Sequence, residues 1–166
     1  AGDGSVTIPR NGGSLQGVIE LVRLQATVVF SIKAGEGVKF TPEHFQICNL
    51  PKNSNLFEKT SDIADCGYFN TEMLTYDSFK DSIFFYPLEN RKQAAGNVTA
   101  FRDRMDMANA NSTYVVIKGS YSGKADHFTD FDKEKYSGQE NAEAKVTYYI
   151  PLGYVNGNLN DYNVRR

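Results

Sequence analysis

The sequence predicts an all-β fold: a two-sheet β-sandwich with one short helix near residues 99–109. Three observations carry this. Two stretches, 24–33 and 142–152, place apolar residues at every second position, the period of a strand with one buried face. The chain holds ten Tyr and eleven Phe but no Trp, and Tyr and Phe favour strands. Gly, Asn, Asp and Pro cut the chain into short segments, and only one of these has helical spacing.

Residues 1–18 are Gly-rich and broken by Pro9, with a short strand at Val6–Ile8 the most they offer. In LQATVVFSIK, Leu24, Ala26, Val28, Phe30 and Ile32 form the apolar row against Gln25, Thr27, Val29, Ser31 and Lys33. AGEG (34–37) turns the chain, and HFQICNL (44–50) reads as a strand stopped by Pro51. The stretch 52–81 is polar and loop-like, with room for one short strand or a turn of helix. SIFFYPL (82–88) is a third strand, which Pro87 puts at an edge or a strand end. In 99–109, Phe101, Met105 and Ala108 lie at helical spacing and Thr99 is a candidate cap.

STYVVIKGSY (112–121) contains the unbroken run TYVVI, expected of a strand buried on both faces or central in a sheet. Residues 124–141 form a charged loop. Ala142, Ala144, Val146, Tyr148, Ile150 and Leu152 then alternate with Glu143, Lys145, Thr147 and Tyr149, and Tyr154 and Val155 extend the row past Pro151. Asn156–Gly157 is a turn signal, and Tyr162 and Val164 open a further strand. A sandwich of such strands hides two sheet faces but leaves edges open.

Composition narrows the function classes. A net charge of −2 gives no electrostatic reason to expect a nucleic-acid partner. No apolar run approaches the roughly 20 residues of a membrane helix. Catalytic signatures are missing: there is no G-x-S-x-G, no H-E-x-x-H and no phosphate-cradling glycine loop. His44 and Cys48 are four residues apart on one strand, about 13 Å, too far for proton transfer. Asp126, Asp130, Asp132 and Glu134 cluster but lack the spacing of a calcium loop, and Lys124, Lys133 and Lys135 dilute their charge; a solvated loop is the better reading. Neither a metal nor a cofactor is expected. Cys48 and Cys66 allow one disulfide in an oxidising compartment; two buried thiols are the alternative.

Four segments in order resemble the fimbrillins, the type V pilin subunits of Bacteroides-type bacteria. They are VRLQATVVFSIK (22–33), FTPEHFQICNLPKNSNLF (40–57), FFYPLEN (84–90), and STYVVIKGSY followed by VTYYIPLGYVNGNLNDYNVRR. The F-Y-x-x-E-N pattern of the third is the most specific. The resemblance spans about 22–166 and is to the C-terminal domain of such pilins, with 1–21 an N-terminal arm or linker. It implies a sandwich of transthyretin-like or Greek-key type. It further implies a non-enzymatic stalk, anchor or tip subunit of a fimbrium, exported through the periplasm to the outer membrane. Such subunits join their neighbours by β-strand exchange.

The family continues beyond its N-V-x-R segment into further strands, and this sequence does not. The resemblance therefore implies a hydrophobic groove that a neighbour's strand fills, with Arg166, after Arg165, a fit for an Arg-specific protease. The groove or assembly residues are then Leu24, Ala26, Val28, Phe30, Ile32, Val146, Tyr148 and Ile150, with Tyr162 and Val164 in the terminal segment 160–166. Glu89 and Asn90 end the aromatic strand at a turn. The competing reading is a surface adhesin that recognises a glycan or host protein through loops 52–81 and 124–141.

Overall fold

The unbroken apolar run at 114–117 becomes the centre of the molecule. A computed structural model of the chain describes residues 25–54, 67–77, 82–124, 135 and 141–165. Strand β7 (Tyr114–Lys124) lies between β2 (Lys39–Cys48) and β8 (Asn141–Pro151). With β5 (Leu74–Thr75) these form a four-stranded antiparallel sheet in the order β5-β2-β7-β8. Val115, Val116 and Ile117 are all buried, as the two-sided apolar run requires. The fold is all-β.

Pairing register sets the faces. Phe45 and Ile47 on β2 stand opposite Ile117 and Val115, which stand opposite Tyr148 and Ile150 on β8. Successive side chains in a strand point to opposite faces, so these six share one apolar face. A register shift between Pro42 and His44 makes Glu43 an extra residue, and this bulge keeps Phe40 and Pro42 on the same face as Phe45. The strand therefore starts at Lys39, earlier than the expected 44–50, and runs through Pro42 because a bulge tolerates proline. Gly119 sits opposite Pro42; a Cβ there would stand 2.3 Å from the Thr41 carbonyl oxygen.

A two-stranded ribbon covers one end of the apolar face. Strand β1 (Val28–Phe30) pairs with β6 (Ile83–Phe85), and Phe30, Ile83 and Phe85 pack against Phe45, Ile47 and Leu50. The Phe30 ring meets Phe45 edge-on at 5.8 Å and Phe85 at 6.1 Å, favourable T-shaped contacts. Among the described residues the second layer is this ribbon rather than a complete sheet.

Several expectations need correction. The stretch 67–77 holds two short strands, β4 (Tyr68–Phe69), paired with β3 (Leu50–Pro51), and β5. Pro51 thus belongs to a strand, and the break before it is Asn49, whose left-handed φ of 57° ends β2. The helix near 99–109 is one 3-10 turn, Phe101–Arg104, with Ala100 rather than Thr99 at its N-cap and no side-chain cap. With three residues per turn, Phe101 and Arg104 line up. The buried residue is Arg104, while Phe101 is exposed. The alternation of β8 does not pass Pro151: Gly153 and Tyr154 adopt φ of 99° and 70°, and a tight turn follows at Val155–Gly157, with Asn156 and Gly157 also left-handed. A Cβ on Gly153 would lie 2.3 Å from the Asp161 carbonyl oxygen.

Candidate assembly surface

The sheet has two edges of different character. On the β2 side, β5 pairs with His44 and Phe45. Thr71 and Tyr76 donate their N–H groups to the Ile47 and Glu43 carbonyls at 2.9 and 2.8 Å. The Thr71 hydroxyl accepts from Ile47 N–H at 3.1 Å. That edge is shielded. On the other side, β8 is the last strand of the sheet among the described residues, eleven residues long.

The direction of its main-chain groups follows from the ladder. Leu152 N–H donates to Thr113 O at 2.9 Å, and the register runs without a shift from Tyr114↔Pro151 to Lys124↔Asn141. Hydrogen-bonded and non-bonded pairs alternate in an antiparallel ladder. Ala144, Val146, Tyr148 and Ile150 therefore bond to β7, and Lys145, Thr147 and Tyr149 direct their N–H and C=O away from it. Pro151, which has no N–H, falls at an outward position, where an edge strand accepts proline.

On the polar face, Lys145 ties β8 back across β7 to the bulge. Its ammonium donates to the Glu43 carboxylate and, at 2.9 Å, to the Ser120 hydroxyl, which donates to Glu43 at 2.6 Å. The Lys145 and Ser120 hydrogen bonds hold the Glu43 carboxyl below its ordinary pKa.

The expected groove residues divide into three groups. Ala26 is buried, and Val28, Phe30 and Ile32 are half-buried against exposed Gln25, Thr27, Val29, Ser31 and Lys33, as alternation predicts. Val146 and Ile150 are half-buried. Tyr148 is 43% exposed despite its edge-on contact with Phe40 at 5.4 Å, on a strand that is the last of its sheet among the described residues. Leu24, Cys66, Arg166 and most of loops 52–81 and 124–141 lie outside the described residues. Cys48 is buried with a free thiol, and its candidate disulfide partner Cys66 lies outside the described residues. Burial pushes the Cys48 pKa up, against the lowering effect of a hydrogen bond with Tyr114.

Tyr162 and Val164 are the largest departure. They do not begin an unpartnered strand. Both are buried, and the segment pairs with 90–93 through bridges Asn90↔Val164 and Gln93↔Asp161. Asn90 and Val164 exchange both main-chain hydrogen bonds, at 3.0 and 2.8 Å. Asn90 thus continues the pairing rather than ending it at a turn. Its Nδ2 donates to Asn111 O and Thr113 Oγ1, both at 2.8 Å.

No family model, curated protein or solved structure matches the chain.

Arg104 is the residue that periodicity missed. Its relative exposure is 0%. Nη1 donates to the carbonyls of Asn158 and Leu159 at 3.4 and 2.8 Å, and Nη2 to those of Leu152 and Asp161 at 3.1 and 2.9 Å. The guanidinium carbon lies 4.4, 5.4 and 5.7 Å from the ring centroids of Tyr162, Tyr154 and Phe101, a cation–π cage. The Tyr162 hydroxyl donates back to the Arg104 carbonyl at 2.7 Å. One side chain thereby gathers 152–162 around itself. The only advance signal was the aromatic and Asn-rich composition of 154–163, not any spacing around Arg104.

Proposed function

We propose that the chain is a structural subunit of a bacterial cell-surface fimbria, as stalk, anchor or tip, joining its neighbours by β-strand complementation at the outer membrane. The observation that carries this reading is the long outer edge of β8, whose Lys145, Thr147 and Tyr149 main-chain groups point away from the sheet. A strand added there gains a main-chain ladder, with alternate side chains supplying specificity. Among the described residues no strand pairs with this edge, whose outward positions include Lys145 and, at its end, Pro151. The four segments similar to fimbrillins favour the same reading.

Because 161–164 pairs with 90–93, complementation in this reading occurs away from that segment. The receiving edge is β8 and not a gap beside the terminal segment. The test is Thr147→Pro, which removes an outward N–H and leaves the β7–β8 ladder bonds in place. Sedimentation of the purified chain should show concentration-dependent association that this variant loses while its far-UV circular dichroism is unchanged. A wild-type chain that stays monomeric at about 100 μM, well above the range of a specific micromolar contact, contradicts the proposal. So does a proline variant that associates normally.

A further inference from the structure

We propose that a pocket of about 490 Å³ beside the terminal segment binds an acidic saccharide, a sugar ring carrying a carboxylate or sulfate. This is independent of the filament reading. The two bridges Asn90↔Val164 and Gln93↔Asp161 fix an antiparallel register, which places Arg91 opposite Asn163. Alternation then sets Arg91 and Gln93 on one face of this ribbon with Asp161, Asn163 and Arg165. The pocket opens on that face, with Asn109 closing one side.

Its charge is arranged by depth. The Arg91 Nε and Nη2 atoms both lie 2.9 Å from Glu89 Oε1. Arg165 approaches Asp161 at 3.7 Å, outside hydrogen-bond range. The side chains of Glu89 and Asp161 are 13% and 5% exposed, those of Arg91 and Arg165 33% and 54%. Each carboxylate is sunk beneath the guanidinium it holds, and neither lines the pocket. The lining is two arginines, the amides of Gln93, Asn109 and Asn163, and parts of Lys92 and Ala94; the Asn163 Nδ2 donates to Asp161 and the Asn109 Oδ1 accepts from Asn111 N–H, which leaves the Asn163 oxygen and the Asn109 Nδ2 for a ligand. The Lys92 ammonium is directed elsewhere, 5.7 Å from the Tyr68 ring centroid.

That inventory selects the ligand class. Guanidinium groups match the paired oxygens of carboxylate and sulfate. Side-chain amides both donate and accept, as ring hydroxyls do. The volume falls in the range of small-molecule sites. Asn163 and Arg165 belong to the terminal segment and Arg91 and Gln93 to the strand it pairs with, so the pocket exists only while that segment is docked. Ligand binding should therefore also stabilise the docking.

The test is a titration of isotope-labelled protein, followed by NMR, with sodium glucuronate, glucose 6-sulfate, glucose and sodium sulfate. Saturable shifts at Arg91, Asn163 and Arg165 are expected with glucuronate or glucose 6-sulfate, with an affinity about tenfold or more above glucose and above sulfate. Which acidic sugar binds tighter identifies the acid group. R165Q removes an exposed side chain and should weaken binding about tenfold while leaving the remaining spectrum unchanged. Sulfate binding as tightly as either acidic sugar would reduce the site to a bare anion contact and overturn the proposal. An absence of saturable shifts, or an R165Q variant that binds like wild type, overturns it as well.

Discussion

Ile117, in the middle of β7, and Arg104, at the end of the 3-10 turn, are both buried, and their surroundings have little else in common. Ile117 is flanked by Phe45 on β2 and Tyr148 on β8. Its neighbourhood is held by apolar burial across a main-chain ladder whose hydrogen bonds are all strand to strand. Arg104 is flanked by four carbonyl oxygens and three aromatic rings. The segment around it has two isolated bridges and several left-handed residues in place of a ladder. Four of its main-chain carbonyls accept from one side chain, and two of them, Asn158 and Asp161, accept a main-chain N–H as well. A chain can order an irregular segment without regular secondary structure if a multivalent donor stands at its centre. The cost is a buried charge, offset here by charge-assisted hydrogen bonds and ring faces.

This contrast is open to direct attack. Arg104→Met fills the site but removes the charged donor from four carbonyls, two of which, Asn158 and Asp161, keep a main-chain N–H, and should cost about 2–4 kcal/mol, the scale of several lost hydrogen bonds to a charged group. The loss should be local. Hydrogen exchange should accelerate at Tyr154, Val164 and Asn90, whose N–H groups bond to Asp161, Asn90 and Val164, and remain slow through β7. Ile117→Ala, by contrast, opens a cavity in the sheet and should cost about 2–4 kcal/mol, lowering protection in β2, β7 and β8 together. Should Arg104→Met release the sheet amides as fully as the terminal ones, the two regions are one cooperative unit and the distinction between them fails.

The two regions also differ in how far the sequence discloses them. Period two at 24–33 and 142–152 and the run TYVVI specify strands because each residue's environment repeats at a fixed offset. There the inward rows, Ala26-Val28-Phe30-Ile32 and Ala142-Ala144-Val146, emerge as written. The bulge at Glu43 resets parity in mid-strand, so the apolar residues of β2 sit at 40, 42, 45 and 47 and read as no single period. Arg104 lies further still from local rules. Its hydrogen-bond partners are 48 to 58 residues away, and its neighbour Phe101 does not mark it as buried. The turn chemistry of the terminal segment was legible: Asn156–Gly157 gives a left-handed turn, and Asp161 accepts from Asn163 N–H two residues on. That the segment folds back onto 90–93 was not, because a pairing of two bridges has too little alternation to show. Of the candidate assembly surface, the sequence shows β8 as a strand; that it comes last in the sheet among the described residues depends on sheet order, which alternation cannot encode.

The smallest expected effect is on pH dependence, and it also separates the regions. Burial alone would raise the pKa of Asp161. Hydrogen bonds from the side chain and main-chain N–H of Asn163 and from Val155 N–H, with the charge of Arg165, outweigh it and hold the carboxyl below its ordinary value of 3.8. A group with a depressed folded pKa contributes stability that is fully present above the unfolded value and lost as pH falls through the folded one. Acidification below about 3.8 should therefore loosen the tight turn and 161–164. Exchange at Val155 and Asn163 should rise first, while β7 amides keep their protection until other carboxylates titrate. Asp161→Asn cannot ionise, so it should be looser at neutral pH and lose this step between pH 4 and the acid limit. If the variant and the wild type show the same acid dependence at Val155 and Asn163, the charge of Asp161 plays no part in seating the segment, and the Arg104 cage alone holds it.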